Sequence, residues 1–369
     1  MSAGNRDGAQ DLFKGLLTLL MVYCHVLQFF GDEMLSPAVR YWTELANLTV
    51  FPGFLFAFGR NTARACLSRP FRQSAPKLGL NALKIFGVFV LSGLSFRVLR
   101  ENKPFAAGTV RSVLLLEDIP GWSEFIAAFA LYSLLALILF YPLRCMMDKP
   151  QMMIPVAAAC LLCCFLPYSH FLDPRLSLFI GGLRFAYFPV VQYAPYFLAG
   201  MLYQGRRWKP WVWPTAAAAL SGLGLLWALW LDGMPSRFPP DIGWVLLGAF
   251  PVAAFVLLSM GLEWLACQKT SVKGMTLHSL FRPLAGMGRS SLFYLLSSNL
   301  VLFTLAGKNI TPWLKFKALG LFGQPVQSAS GAFWWTLALL CAIALAAAFF
   351  RVPGKHHDNK EETICAPSA

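Results

Sequence analysis

Lys14, Thr18, Met21, His25 and Gln28 share one side of a helix at about 100° per residue, with Asp11 just below them. The stretch that carries them, Asp11 to Phe30, is otherwise apolar and of roughly the 20 residues that a bilayer crossing needs. Lys14 and His25 return to nearly the same angle about 16 Å apart along the axis, so one face joins the membrane edge to a buried imidazole. Ionisable groups at that depth are costly in lipid and face a bundle interior or a water-filled cavity, where they tend to be functional. An imidazole held there can act as a general base near neutral pH, or as a nucleophile. Plainer readings stand beside these. His25 can simply hydrogen-bond a neighbouring helix, Lys14 can snorkel to the interface, and Asp11 can cap the helix rather than orient Lys14.

The elements that must hold this face are the other apolar runs of the chain. Of 369 residues, 57% are hydrophobic and 13% charged, about half the charged share of a soluble domain. Apolar runs recur at 12–30, 46–67, 78–97, 122–143, 151–170, 185–204, 212–231, 242–267, 287–307 and 330–350. They predict an all-α fold, a polytopic membrane bundle of about ten transmembrane helices. Nothing between the runs is long enough for a soluble domain, so one membrane domain is expected over 1–353, followed by a short polar cytoplasmic tail over 354–369. The first run contains His25 and lacks a small-residue cleavage site after it, so it is expected to stay as a membrane anchor. Cys160, Cys163 and Cys164 have a metal-like spacing but sit mid-run with no partner pair, and no metal site is expected.

The net charge of +14 comes mostly from short loops beside apolar runs, where topology explains it without a nucleic-acid partner. Arg60, Arg64, Arg69, Arg72 and Lys77 form the strongest basic cluster, with no acidic residue among them, and mark a cytoplasmic loop. Arg206, Arg207, Lys209, Lys269, Lys273, Arg282 and Arg289 mark later loops on the same side, opposite Asp32, Glu33 and Glu44. This predicts a multi-pass protein of the cell membrane with both termini cytoplasmic and His25 in the outer half of the bilayer. Arg97, Arg100, Lys103 and Arg111, and then Lys308, Lys315 and Lys317, run against that topology. With His25 outward and the basic loop inward, two substrates would need a transmembrane conduit.

Asp11-x-x-Lys14-Gly15, followed by Met21-Val22 and His25, resembles the first helix of the acyltransferase 3 family, membrane enzymes that decorate surface glycans with acyl groups. The family signature there is Arg, ten residues, then His; Lys14 keeps the charge of that Arg without its planar fork. Phe51-Pro52-Gly53-Phe54-Leu55-Phe56 resembles the family's second helix, and Gly121-Trp122 with Glu124 the Trp-bearing start of its fourth. Tyr196-Phe197-Leu198-Ala199-Gly200-Met201 is similar to a later Phe-Leu-x-Gly element, and Arg69-Pro70-Phe71-Arg72 to the family's Arg-x-x-Arg. Gly288-Arg289-Ser290-Ser291-Leu292-Phe293-Tyr294 resembles a Gly-x-x-Ser-Leu-x-x-Tyr element with its Tyr one residue early. The His often found soon afterwards is replaced by Ser297, Ser298 and Asn299.

The resemblance implies an acyltransferase, acting on groups other than amino-acyl groups, that uses acyl-CoA (acetyl-CoA) as donor substrate with no permanently bound cofactor. The acceptor would be a hydroxyl of a cell-surface or exported glycan. His25 would be base or acyl carrier, with Lys14 and Asp11 beside it. Coenzyme A phosphates would meet Arg69 and Arg72, with Arg60 and Arg64 assisting, although topology alone also accounts for that cluster. Glu117, Asp118, Trp122 and Glu124 would contact the sugar, or the carboxylates would merely be solvated. The rival class is a multi-span transporter or flippase of a glycan or lipid-linked substrate, which predicts paired Gly/Pro-broken helices in two related halves. No such halves are visible in the sequence.

Overall fold

The computed structural model describes residues 7–205, 212–231, 233–267, 271–272, 275–307 and 324–349. Apart from a two-residue antiparallel ladder pairing Ser271 with Thr276, its regular structure is helical. The first helix, α1, spans Gly8–Phe30 and begins a turn before the apolar run, because the Asp7 carboxylate caps it by accepting from the Gln10 N–H at 3.0 Å. Asp11 therefore lies inside the first turn and is not the cap. Helix α2, Ala38–Thr62, continues into a π turn at Ala63–Leu67, and α3, Phe71–Ser95, into another at Phe96–Arg100. Then come α4 (Ala107–Leu114), α5 (Glu124–Ile138), α6 (Phe140–Asp148), α7 (Met153–Leu162), α8 (Pro174–Ile180), α9 (Val190–Gly205) and α10 (Val212–Trp230). The last are α11 (Ile242–Leu247), α12 (Ala249–Cys267), α13 (Leu277–Arg289), α14 (Ser291–Leu305) and α15 (Ala329–Phe349).

Among the described residues, four helical runs are long and apolar enough to cross a membrane: α1, Phe71–Arg100, Ile242–Cys267 and α15. The bent pair α5–α6 would make a fifth. It bends by 78° at Leu139 because Pro142 has no N–H to donate to the Ile138 carbonyl. The other expected runs give helices that are shorter or less apolar. Helices α7 and α14 are short, the apolar stretch of α10 covers Val212–Ala228, α9 has 16 residues, and Glu44, Asn47, Pro52 and Arg60 dilute α2. The basic residues expected at 206–209, 269–273 and 308–317 and the tail at 354–369 lie outside the described residues, apart from Lys273's neighbours in the ladder.

The chain packs as two compact units. The first takes Met1–Ala46, Ala254–Leu302 and Thr311–Ala369. Here α1 lies along α13 and α15. A Cβ on Gly15 would come 2.1 Å from the Leu284 carbonyl oxygen, and one on Gly288 1.8 Å from that of Asp11. The helices α1 and α13 thus meet backbone to backbone, as small residues allow. On the side of α1 away from His25, the Tyr23 hydroxyl donates to the Ala329 carbonyl at 2.9 Å. Its ring meets Trp42 and Phe333 edge-on, beside an apolar groove of about 600 Å³.

The second unit takes Asn47–Ala253 and Phe303–Ile310. Helices α2 and α9 cross just as closely, Gly59 against the Phe197 carbonyl and Gly200 against that of Phe56, each leaving 2.0 Å for a Cβ. Packing accounts for Gly200 of the Phe-Leu-x-Gly element. Phe51, Phe188 and Tyr193 fill the adjoining core, with Phe51 and Phe188 stacked 4.4 Å apart.

Candidate functional site

In the first unit the polar stripe of α1 is enclosed for most of its length. Asp11, Thr18, Met21 and His25 are buried, Lys14 is half-buried, and only Gln28, three residues beyond His25 on the same face, is exposed. Thr18 is satisfied within its own helix, donating to the Lys14 carbonyl at 2.8 Å. His25, 6% exposed, donates from Nδ1 to the Asn299 Oδ1 on α14 at 3.0 Å, and Asn299 is 0% exposed. An interhelical bond of this kind satisfies a structural histidine and equally orients a reacting one. The stripe thus leads from a charged end through a held imidazole to a polar side chain in solvent.

At the lower end of the stripe, Lys14 Nζ lies 3.3 Å from Asp11 Oδ1 and Arg289 Nε 3.7 Å from Asp11 Oδ2. Asp11 therefore orients Lys14 one turn on, and it also holds the last turn of α13. The close approach at Gly288 brings the neighbouring Arg289 to this carboxylate. Two cations thus share the Asp11 carboxylate at the start of α1.

In the second unit the Arg-x-x-Arg segment sits at the start of α3. Its N-cap is Pro70, which makes no side-chain cap, so the first amides of α3 point out beside the exposed Arg69 and Arg72. Arg144 of α6 joins them, donating to the Arg69 carbonyl at 3.3 Å. Arg60 is engaged elsewhere: its Nε donates to Gln204 Oε1 at 3.2 Å and its guanidinium lies 4.8 Å from the Tyr203 ring centre. Arg64 is half-buried in the π turn after α2. The exposed cations of this cluster are Arg69, Arg72, Lys77 and Arg144.

Of the carboxylates expected to meet the sugar, Asp118 and Glu117 have cationic partners. Asp118 takes both arms of Arg97, with Nε donating to Oδ2 at 2.8 Å, and Arg97 also pairs with Glu101 at 2.6 Å. The π turn that extends α3 carries Arg97 to these partners, and their charges offset one of the cations that ran against the expected topology. Glu117 pairs with Arg175 of α8 at 3.2 Å, both about half exposed. Trp122 lies at φ 59°, a left-handed conformation that costs about 1–3 kcal/mol for such a residue, with its ring 5.3 Å from that of Phe96. Glu124 is 8% exposed, and its Oε2 has no hydrogen-bond partner among the described residues. The charge of Arg237, whose guanidinium lies over the Phe188 and Phe238 rings, reaches it.

Burial works against the charged form of Glu101, but the hydrogen bonds and charges of Arg97 and Lys103 outweigh it and hold the carboxyl below its ordinary value. Stability from this group is in place above the ordinary glutamate range and is lost as pH falls through the lowered value. Arg97→Ala leaves Asp118 and Glu101 without their shared cation. It is expected to destabilise the second unit by about 2–3 kcal/mol, read as a lower melting temperature in detergent. An unchanged melting temperature would make these pairs energetically idle surface contacts.

Comparison with known proteins finds no match: no family model, no curated protein and no solved structure is similar to this chain. Sequence reasoning names Arg289, Arg97 and Asn299 but not their contacts, above all for Asn299. Its signal was present, since a lone amide in the apolar run of α14 needs a buried partner.

Proposed function

We propose that the chain is an integral membrane acyltransferase that moves an acyl group, acetyl foremost, from cytoplasmic acyl-CoA to a hydroxyl of a cell-surface or exported glycan. A bundle of about ten spans, in which the shorter apolar helices also cross or enter the bilayer, and cytoplasmic termini belong to the same reading. The observation that carries it is the buried His25, on a helix able to span a membrane, with one ring nitrogen held by Asn299. The motif resemblance that begins at Lys14 and His25 supports it.

In the direct route the acceptor hydroxyl oxygen attacks the thioester carbonyl carbon while His25 takes its proton. The C–S bond breaks, an ester forms, and the coenzyme A thiolate leaves and receives that proton. In the covalent route the ring nitrogen attacks the thioester carbon and expels coenzyme A, whose thiolate takes the ring proton; the glycan hydroxyl then attacks the acyl-imidazole carbon, the carbon–nitrogen bond breaks, and the freed ring takes the hydroxyl proton. Lys14, Asp11 and Arg289 form an ion-paired cluster at the start of α1. Arg69 and Arg72 are assigned to the donor phosphates, where charge-assisted contacts are worth about 1.5–3 kcal/mol each. Arg69→Ala with Arg72→Ala should therefore weaken acetyl-CoA binding by about tenfold or more, with only partial recovery on changing both to Lys. Unchanged affinity would assign the cluster to topology alone.

The test of the function is to incubate purified protein with acetyl-CoA and a panel of cell-surface glycans, following free thiol and acetylated product together. Stoichiometric release of thiol with ester formation is expected. Folded protein that yields neither would be behaving as a transporter, and the proposal would fall.

A further inference from the structure

We infer that Tyr141 and Arg144 of α6 complete a nucleotide site with Arg69 and Arg72, in which the Tyr141 ring carries the donor's adenine and the guanidinium groups its phosphates. This rests on the reading of acyl-CoA as donor, whose far end is an adenosine diphosphate with a further phosphate on the ribose. The 78° bend at Leu139 turns α6 out of the line of α5, and α6 then meets the start of α3. Tyr141 and Arg144 are three residues apart and so lie on one face of α6. Both touch the segment that opens α3. The Tyr141 ring stacks on that of Phe71 with centres 5.6 Å apart, and Arg144 donates to the Arg69 carbonyl at 3.3 Å. Phe140, fully buried, meets Phe71 edge-on at 5.2 Å and fixes it from behind. Tyr141 is nonetheless 66% exposed, so the part of its ring not covered by Phe71 is open for a base to stack on.

Charge points the same way. Arg69, Arg72, Lys77 and Arg144 are all exposed, and among the described residues none of them is ion-paired, not even with Asp148 one turn beyond Arg144. The charges of Arg69 and Lys77 both reach Cys66 in the π turn before α3, so these cations gather at one place. All but Lys77 are arginines, whose planar forks take phosphate oxygens in pairs. Basic residues set by topology and an aromatic side chain anchoring a helix at the membrane surface are the plainer readings. Neither calls for a ring stacked on a buried aromatic pair, or for a guanidinium held by a main-chain carbonyl beside it. A fixed ligand uses groups held in one geometry; a fluid layer of headgroups does not.

The experiment measures binding of coenzyme A, ADP and pantetheine to the full-length protein in detergent without added lipid, for the unaltered chain and for Tyr141→Leu, Tyr141→Phe and Arg144→Gln, with melting curves for each. The unaltered protein is expected to bind coenzyme A and ADP, and to bind pantetheine, which lacks the nucleotide, at least about tenfold more weakly. Arg144→Gln should weaken coenzyme A and ADP by about tenfold or more. Tyr141→Leu should weaken them by about fivefold or more, while Tyr141→Phe, which keeps a ring, stays within about twofold. Both side chains are exposed, so the melting temperatures should hold; if Tyr141→Leu does not fold, Arg144→Gln decides. Undiminished ADP binding in either folded variant would overturn the site, and the donor reading would still stand on the binding of coenzyme A. ADP binding that both variants lose, in a protein that transfers no acyl group, would remove the acyltransferase reading and keep the nucleotide site. An unaltered protein that binds no ADP would overturn the site as well; capture by phosphatidylserine vesicles that Arg144→Gln abolishes would then give these cations to lipid headgroups.

Discussion

His25→Ala is expected to abolish acyl transfer while the protein still inserts and binds acetyl-CoA. A positioned general base contributes about 10²–10⁴-fold, and as an obligatory acyl carrier His25 would contribute more. The substitution also removes the buried hydrogen bond to Asn299, at a cost of about 1–3 kcal/mol, so a fall in stability alone would not be informative. His25→Gln separates the two effects. Its amide nitrogen can still donate to Asn299, but it has no lone pair to take a proton. Both variants are expected to be inactive, with Gln closer to the original melting temperature. Near-normal product from either would take His25 out of the mechanism and leave it as a buried histidine tying α1 to α14.

Gly288→Ala should unfold or badly destabilise the first unit, whereas Gly286→Ala, two residues earlier on the same helix, should not. The added carbon is the same; its surroundings are not. At position 288 it would lie 1.8 Å from the Asp11 carbonyl oxygen, a main-chain atom that moves only if α1 itself moves. At position 286 nothing lies within 4 Å. Overpacking costs about 1–3 kcal/mol where side chains can yield, and a clash with main chain is expected to exceed about 3 kcal/mol. The Gly286 change removes backbone freedom from the unfolded chain and should be worth about 0.5–1 kcal/mol in favour of folding. Separating the helices would also draw Arg289 from Asp11. Equal melting temperatures for the two variants would show that α1 and α13 do not meet this closely.

The stripe on α1 was legible because helical periodicity places residues on a face without reference to the rest of the fold. What holds that face was not, since the His25 partner and the Arg289 contact come from distant segments. Periodicity likewise located the apolar runs but not their lengths as helices. Pro142 breaks one, and polar residues dilute α2, so composition alone gave more spans than the long helices supply. The apolar run alone starts the helix at Asp11 and leaves capping open beside the orienting of Lys14, whereas Asp7 starts the helix a turn earlier. The acidic loop was the hardest to read. Glu117 and Asp118 look like free carboxylates in sequence, and only the fold brings Arg175 and Arg97 to them.

Transfer across a membrane is the central claim, and it is tested most directly in sealed vesicles carrying the purified protein. Acetyl-CoA labelled in its acetyl group is enclosed, a panel of glycans is supplied outside, and label in the outer glycan is followed over time. The account predicts labelled outer glycan with an equal amount of free coenzyme A inside, and none of either with His25→Gln. Vesicles that leave the glycan unlabelled, or label it equally with His25→Gln, would contradict it.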